Sequence, residues 1–156
     1  MATKSESNEK LIASNKKVLH DYHVLQKLEA GIELTGTEVK SLRDKGANLK
    51  DSYVFFKSGE AFLLGAHIAP YSHGNLQNHD PERKRKLLLH RREIDSLYGK
   101  VREKGLTIVP TRIYFKDSRV KVELALARGK EQRDKRRDVV ERDAKRQMER
   151  ALKSRR

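Results

Sequence analysis

In Arg119-Val120-Lys121-Val122-Glu123-Leu124-Ala125-Leu126-Ala127, the apolar Val120, Val122, Leu124 and Leu126 alternate with Lys121 and Glu123. Successive side chains of a strand point to opposite faces, so the alternation predicts a half-buried strand over residues 120–127. Residues 111–116 read as its preceding partner, with a further short strand over 106–109. Working back along the chain, Ile94, Leu97, Tyr98 and Val101 fall at i, i+3, i+4 and i+7. That spacing predicts a helix of about four turns, closed by Gly105. Residues 84–89 read as a strand, and 71–81, with their Ser, Gly, Asn and His, as a loop. A short strand around His67-Ile68 ends at Pro70, and residues 53–57 and 60–64 flank Ser58-Gly59 in hairpin order. Thr35-x-x-Glu38 reads as a capping box whose helix runs to about Lys45, stops at Gly46 and buries an edge made of Val39 and Leu42. Residues 22–29 suit a strand, which Ala30-Gly31 turns into a second short strand over 32–34. Short strands in tight turns, with helices only as inserts, predict a mainly β fold. The expected architecture is a closed antiparallel OB-like β-barrel with about three short helices and a basic C-terminal tail.

A chain of 156 residues has room for one domain and an appendage. It carries 36 Lys+Arg against 22 Asp+Glu, a net charge of +14. The absence of cysteine excludes disulfides, zinc ribbons and thiol catalysis. No stretch approaches the roughly 18 consecutive apolar residues of a membrane span. The opening residues lack a signal peptide's apolar core, and Glu6 and Glu9 argue against a transit peptide, so a cytoplasmic protein is expected. Residues 128–156 hold 13 basic and 6 acidic side chains, half the net charge in under a fifth of the chain. Their only apolar residues are Val139, Val140, Ala144, Met148, Ala151 and Leu152, too few to offset the entropy of ordering. The expected organisation is a flexible segment over 1–13, a barrel over 14–127 and a tail over 128–156 that is unfolded or nascent helix when free. Within the tail, Glu131/Lys135, Asp138/Arg142, Glu141/Lys145 and Glu149/Lys153 are i, i+4 pairs with the acid first. With the thin stripe Val140, Ala144, Met148, Leu152 they describe a conditional helix, one that a polyanionic groove could order.

Catalysis finds little support. His20, His23, His67, His73, His79 and His90 form no metal-ligand pattern, and neither a phosphate-binding loop nor a nucleophile elbow occurs. Asp80 and Glu82, flanking Pro81, are the one pair that could hold magnesium for an RNA-processing hydrolase. The basic surface is the better lead. In Arg83-Lys84-Arg85-Lys86-Leu87-Leu88-Leu89-His90, strand alternation puts Lys84, Lys86, Leu88 and His90 on one face. With Leu87 and Leu89 inside, Leu88 points outward among cations and suits an unstacked base or ribose. The other reading, a helix covering that face, stays open at this level. Phe55-Phe56 and Tyr114-Phe115 pose the same question, since each pair sends one ring to each face. Glu29 is either a solvated charge or an acceptor for guanine amino and imino groups.

Several longer words are more specific. Gly31-Ile32-Glu33-Leu34-Thr35-Gly36-Thr37-Glu38-Val39-Lys40-Ser41-Leu42-Arg43, Asn48-Leu49-Lys50-Asp51-Ser52-Tyr53, Asn78-His79-Asp80-Pro81, Arg85-Lys86-Leu87-Leu88-Leu89, Arg128-Gly129-Lys130 and Asp134-Lys135-Arg136 follow one another in order. Together they resemble the SsrA-binding protein (small protein B) family over about residues 15–136. The resemblance implies a six-stranded OB-like barrel that binds the tRNA-like domain of transfer-messenger RNA. It also implies a tail, disordered off the ribosome, that becomes helical in the empty mRNA channel of a stalled ribosome. Implied partners are that RNA, the small-subunit rRNA with its decoding centre and mRNA channel, and elongation factor Tu through the charged tRNA-like RNA. No cofactor, metal, membrane or small-molecule substrate is expected. The RNA-binding set on the barrel is Asn15, His20, Tyr22, Glu29, Lys84, Lys86, Leu88 and His90. The ribosome-facing set in the tail is Gly129, Lys130, Arg133, Asp134, Lys135 and Arg136. Glu131 stands where the family commonly has a second lysine, and Arg133 where it often has an aromatic or His. Without the resemblance, a general single-stranded RNA-binding OB module or ribosome accessory protein fits the same residues.

Overall fold

A computed structural model describes residues 8–71, 78–130 and 132–154, with the side chains of residues 104, 132–135 and 154 outside that description. His73 and Glu131 fall outside the described residues. The alternating stretch forms the C-terminal strand β7 (Arg119–Gly129), numbered with the others in chain order: β1 (Glu9–Ser14), α1 (Lys17–Asp21), β2 (Tyr22–Ile32), α2 (Gly36–Asp44), β3 (Tyr53–Lys57), β4 (Glu60–Leu64), β5 (Arg85–Leu88), α3 (Arg91–Lys104), β6 (Thr107–Lys116) and α4 (Gln132–Ser154). Val122, Leu124 and Leu126 of β7 are fully buried, as their alternation requires. Ala125 and Ala127 are buried too, because α1 lays Val18 over the other face, against Ala125 and Val109.

The strands form one antiparallel sheet in the order β1-β6-β7-β2-β5-β4-β3. This is a correction to the closed six-stranded barrel. There are seven strands, and among the described residues no ladder joins β3 to β1. The sheet curls so that β3 approaches β6, around a core that includes Leu42, Leu49, Leu63, Ile68, Leu87, Ile113 and Leu124.

Three local expectations change. The Ala30-Gly31 turn does not form; β2 runs straight through it, and Gly31 sits opposite Lys121 of β7 and Leu88 of β5. A Cβ on Gly31 would lie 3.1 Å from the Leu88 Cβ, so the glycine serves close approach of strands. Pro110 does not divide two strands. It lies at a bulge in β6 whose extra residue, Thr111, accepts the Asn15 backbone N–H at 2.7 Å. Residues 9–13, expected to be flexible, belong to β1, whose pattern is broken by a bulge at Ile12. Residues 132–154 form the helix α4 that the tail's i, i+4 pairs encode, with Val140, Met148 and Leu152 of its stripe exposed.

The capping box forms as written. Thr35 N–H donates to Glu38 Oε1 at 2.9 Å and Glu38 N–H to Thr35 Oγ1 at 3.4 Å. The sequence does not announce that Glu38 is fully buried and takes Arg85 Nε at 2.5 Å and Arg83 Nη2 at 2.6 Å. Arg85, on the inner face of β5, also donates from Nη1 to the Ala66 carbonyl at 2.9 Å. Burial pushes the Glu38 carboxyl up, but the hydrogen bonds from Arg83, the Thr35 N–H and Arg85, with the Arg85 charge, hold it below its ordinary value. This cluster ties α2 to β5 and so fixes the strand that carries the basic face.

Candidate nucleic-acid interface

On β5, Arg85 and Leu87 are buried and Leu88 is 53% exposed, so the open question of which face carries a cover is settled. Among the described residues no helix lies over Leu88. It is a wall shared by two surface clefts. One, of about 400 Å³, is lined by Glu60, Lys86, Leu88, His90 and Arg91 among others. The second, of about 290 Å³, is lined by Gly31, Leu34, Val39, Leu88, Arg119 and Lys121 among others. Lys86 Nζ pairs with Glu60 Oε1 at 3.2 Å, and Lys84 Nζ sits 4.4 Å from the Phe62 ring centroid. His90 is the N-cap of α3; its backbone N–H donates to Glu93 Oε1 at 3.2 Å.

Glu29 lies on β2 two residues before Gly31, on the same outward face. It is not at a turn. Tyr114 O–H donates to Glu29 Oε2, and Lys116 Nζ lies 3.3 Å from both carboxylate oxygens. The Tyr114 hydrogen bond chiefly, then Lys116 and Lys121, hold the Glu29 carboxyl below its ordinary value against the opposing effect of burial. Tyr114 itself is pushed up by burial and by Glu29, and the Arg112 guanidinium lies 4.4 Å from its ring centroid. Tyr114 is thus a buried brace for Glu29, while Phe115 packs against the core. The carboxylate is ionised, fixed in place and has lone pairs left to accept donors.

Asn15 is a brace of another kind. Its Nδ2 donates to the carbonyls of Leu49 at 3.1 Å and Pro110 at 3.3 Å, which leaves Oδ1 as the atom open to a ligand. Asn15 and Tyr22 line a cleft of about 260 Å³ with Lys17, Asp21, Asp51 and Tyr53 among others. His20 is on α1, with Nδ1 2.9 Å from Asp21 Oδ1. The structure therefore splits the expected barrel set. Tyr22 and Glu29 are seven residues apart on one strand, about 23 Å at roughly 3.3 Å per residue. Asn15, His20 and Tyr22 form one patch, and Glu29, Lys84, Lys86, Leu88 and His90 the other.

In the tail set, Gly129 ends β7 opposite Tyr22. Arg133, Asp134 and Lys135 lie in the first turn of α4, their side chains outside the described residues, and Arg136 is exposed. Lys130 departs most from expectation. Its backbone N–H donates to the Asp21 carbonyl at 2.8 Å, its Nζ to the Leu19 carbonyl at 2.9 Å and to Asp138 Oδ2. The side chain is 7% exposed, and its hydrogen bond holds the Asp138 carboxyl below its ordinary value. Lys130 clasps the base of α4 to α1, a contact eight residues long in sequence that no local pattern signals. Asp80 Oδ1 accepts the Glu82 backbone N–H at 3.0 Å, closing a turn. Among the described residues no three metal-ligating side chains converge, and no helix is long and apolar enough to cross a membrane.

The model of the SmpB protein family matches residues 12–154. The chain belongs to the SmpB family. The SsrA-binding protein of Pelobacter propionicus is 58% identical over 146 residues, 94% of this chain and 96% of that protein. That of Carboxydothermus hydrogenoformans is 55% identical over 147 residues, 94% of this chain and 99% of that one. A solved chain from the structure described under "tmRNA-SmpB: a journey to the center of the bacterial ribosome" superposes with a TM-score of 0.66 at 49% identity, covering 79% of this chain and 87% of that one. The SmpB match spans both the sheet and α4, so sheet and tail belong to one family unit.

Proposed function

We propose that this chain is a cytoplasmic RNA-binding adaptor. It binds the tRNA-like domain of transfer-messenger RNA and delivers it to stalled ribosomes for trans-translation, the rescue and tagging of incomplete polypeptides. No reaction is assigned to the protein itself. The relatives' name and the ribosomal setting of the solved neighbour support this reading. The observation that carries it is Leu88, an apolar side chain standing open between two clefts with Lys86, Arg119 and Lys121 around them. In this reading residues 14–127 hold the RNA, with Leu88 against an unstacked base or ribose and Glu29 accepting donors from a base edge. Asn15, His20 and Tyr22 contact a second point on the same RNA, and Lys84, Lys86 and His90 meet its backbone. Residues 128–156 read the ribosome, with Gly129, Lys130, Arg133, Asp134, Lys135 and Arg136 at the decoding centre and α4 in the vacant mRNA channel. Elongation factor Tu joins through the charged RNA.

Leu88→Asp tests the carrying observation. It removes the apolar contact and sets a negative charge beside phosphates, so affinity for the tRNA-like domain falls about tenfold or more, the loss of one stacking-type contact. Leu88 is exposed, so thermal unfolding shifts by only a few degrees. Leu88→Ala, with no added charge, gives a smaller loss of the same sign. Undiminished affinity in both variants contradicts the assignment.

A further inference from the structure

The outward face beyond Leu88 carries a row of rings that the reading above does not use. Cross-strand register sets Phe55 of β3 opposite Phe62 of β4, and Phe62 opposite Lys86 of β5. Tyr53 shares the face, two residues before Phe55. Phe55 is 42% and Tyr53 46% exposed. The adjacent Phe56 contrasts with them: it faces inward, packs on the core and meets Tyr98 of α3 edge-on at 5.8 Å between centroids. Helix α3 therefore serves the inner side of this ladder and leaves the outer rings open. Cations border them. Lys84 Nζ lies 4.4 Å from the Phe62 centroid, Lys86 is the next residue across, and Lys57 faces Glu60 at the hairpin end. Glu60 is already paired with Lys86.

Burial does not account for two open rings on a wet sheet face, and among the described residues no helix packs over them. Open rings beside ammonium groups match an unpaired nucleotide chain, in which bases stack on rings while phosphates meet cations. The face is continuous with Leu88, which lies two residues beyond Lys86 on β5 and lines one cleft with Glu60 and Lys86. We propose that Tyr53, Phe55 and Phe62, with Lys84, form a stacking platform for unpaired nucleotides of the bound RNA, extending the Leu88 cleft across β4 and β3. The proposal rests on the chain's being an RNA binder and not on which RNA it takes.

The probe is decauridine carrying 5-iodouridine, photo-crosslinked to the full chain, with the adducts mapped by mass spectrometry and affinity followed by anisotropy. The platform predicts adducts on Tyr53, Phe55 or Phe62. Phe55→Ala lowers their yield about fivefold or more, Phe55→Leu, which keeps apolar bulk without a ring, lowers it as well, and Phe55→Trp preserves it. Circular dichroism confirms that each variant is folded. Adducts confined to the basic tail, a Phe55→Leu yield equal to wild type, or no binding of decauridine overturns the platform, the last leaving the rings to a protein partner. Failure of the transfer-messenger reading has a different signature: Phe55-dependent adducts persist, but the tRNA-like domain gains no preference over unrelated structured RNA.

Discussion

Ending the chain at Lys130 leaves affinity for the tRNA-like domain within about threefold of the full chain and abolishes tagging on stalled ribosomes. The cut is placed by structure. Arg128 and Gly129 pair with His23 and Tyr22, and the Lys130 N–H caps the Asp21 carbonyl, so an end at Ala127 would open the sheet beside the Asn15–Tyr22 cleft. Beyond Lys130 the helix α4 is joined to the body at its base through Lys130–Asp138 and α1, while Val140, Met148 and Leu152 stay exposed. Its removal therefore uncovers little of the core. The residual loss in RNA affinity is the non-specific part, the phosphate contacts of a tail with an excess of basic residues, and shrinks as salt is raised. Tagging in a reconstituted translation system on messages without stop codons, alongside RNA binding, separates the two activities. A fall in RNA affinity parallel to the loss of tagging contradicts the division of labour.

Replacing Glu38 by Ala destabilises the fold by about 3–5 kcal/mol, because it leaves the fully buried Arg85 guanidinium without its counter-ion. Arg83 also loses its partner, and α2 loses half of its capping box. Urea unfolding detects this as a lower midpoint at unchanged slope. Glu38→Gln keeps a hydrogen-bond acceptor and loses less. The acid limb carries a second signature. The Glu38 carboxyl sits below its ordinary value of 4.5 in the folded chain, so its stabilisation is complete above that value and is lost as pH falls through the folded one. Below about pH 4.5 the wild-type midpoint drops, and in Glu38→Gln this contribution to the drop is missing. A Glu38→Ala midpoint equal to wild type contradicts the ion-pair account, whereas joint replacement of Glu38 and Arg85 by packed apolar residues is nearer neutral.

The parts of the fold legible in sequence are those set by nearest neighbours. The alternation in β7, the β3–β4 hairpin, the Thr35 cap of α2 and the Gly105 stop of α3, which has φ 60°, all depend on spacing within a few residues. Gly31 and Pro110 break the local pattern because each serves a distant contact. Ala30-Gly31 reads locally as a turn, but the missing side chain of Gly31 admits Leu88 from another strand. Pro110 looked like a strand end, yet the bulge beside it supplies a carbonyl to Asn15. Thr35-x-x-Glu38 disclosed a cap and not the ion pair to Arg85, 47 residues away.

The same division runs through the site. Alternation alone placed Leu88 among the cations and left two faces to choose between; the uncovered side chain in the fold makes the choice. Glu29 could be named from the family resemblance, but its brace, Tyr114, is 85 residues distant and enters only through the β2–β7–β6 ladders. The split of these residues into two patches is likewise invisible in a list of residues. It follows from the unbroken length of β2.

Selective recognition of one folded RNA is the claim on which the rest depends. Its most direct measurement is competition: the full chain, bound to labelled tRNA-like domain of transfer-messenger RNA, is titrated at physiological salt with unlabelled tRNA-like domain and, separately, with a structured RNA of equal length. At that salt non-specific RNA contacts are weak, so the account predicts displacement by the cognate RNA at concentrations at least about a hundredfold lower than by the other. Equal displacement by both would reduce the chain to a general RNA binder and contradict the account.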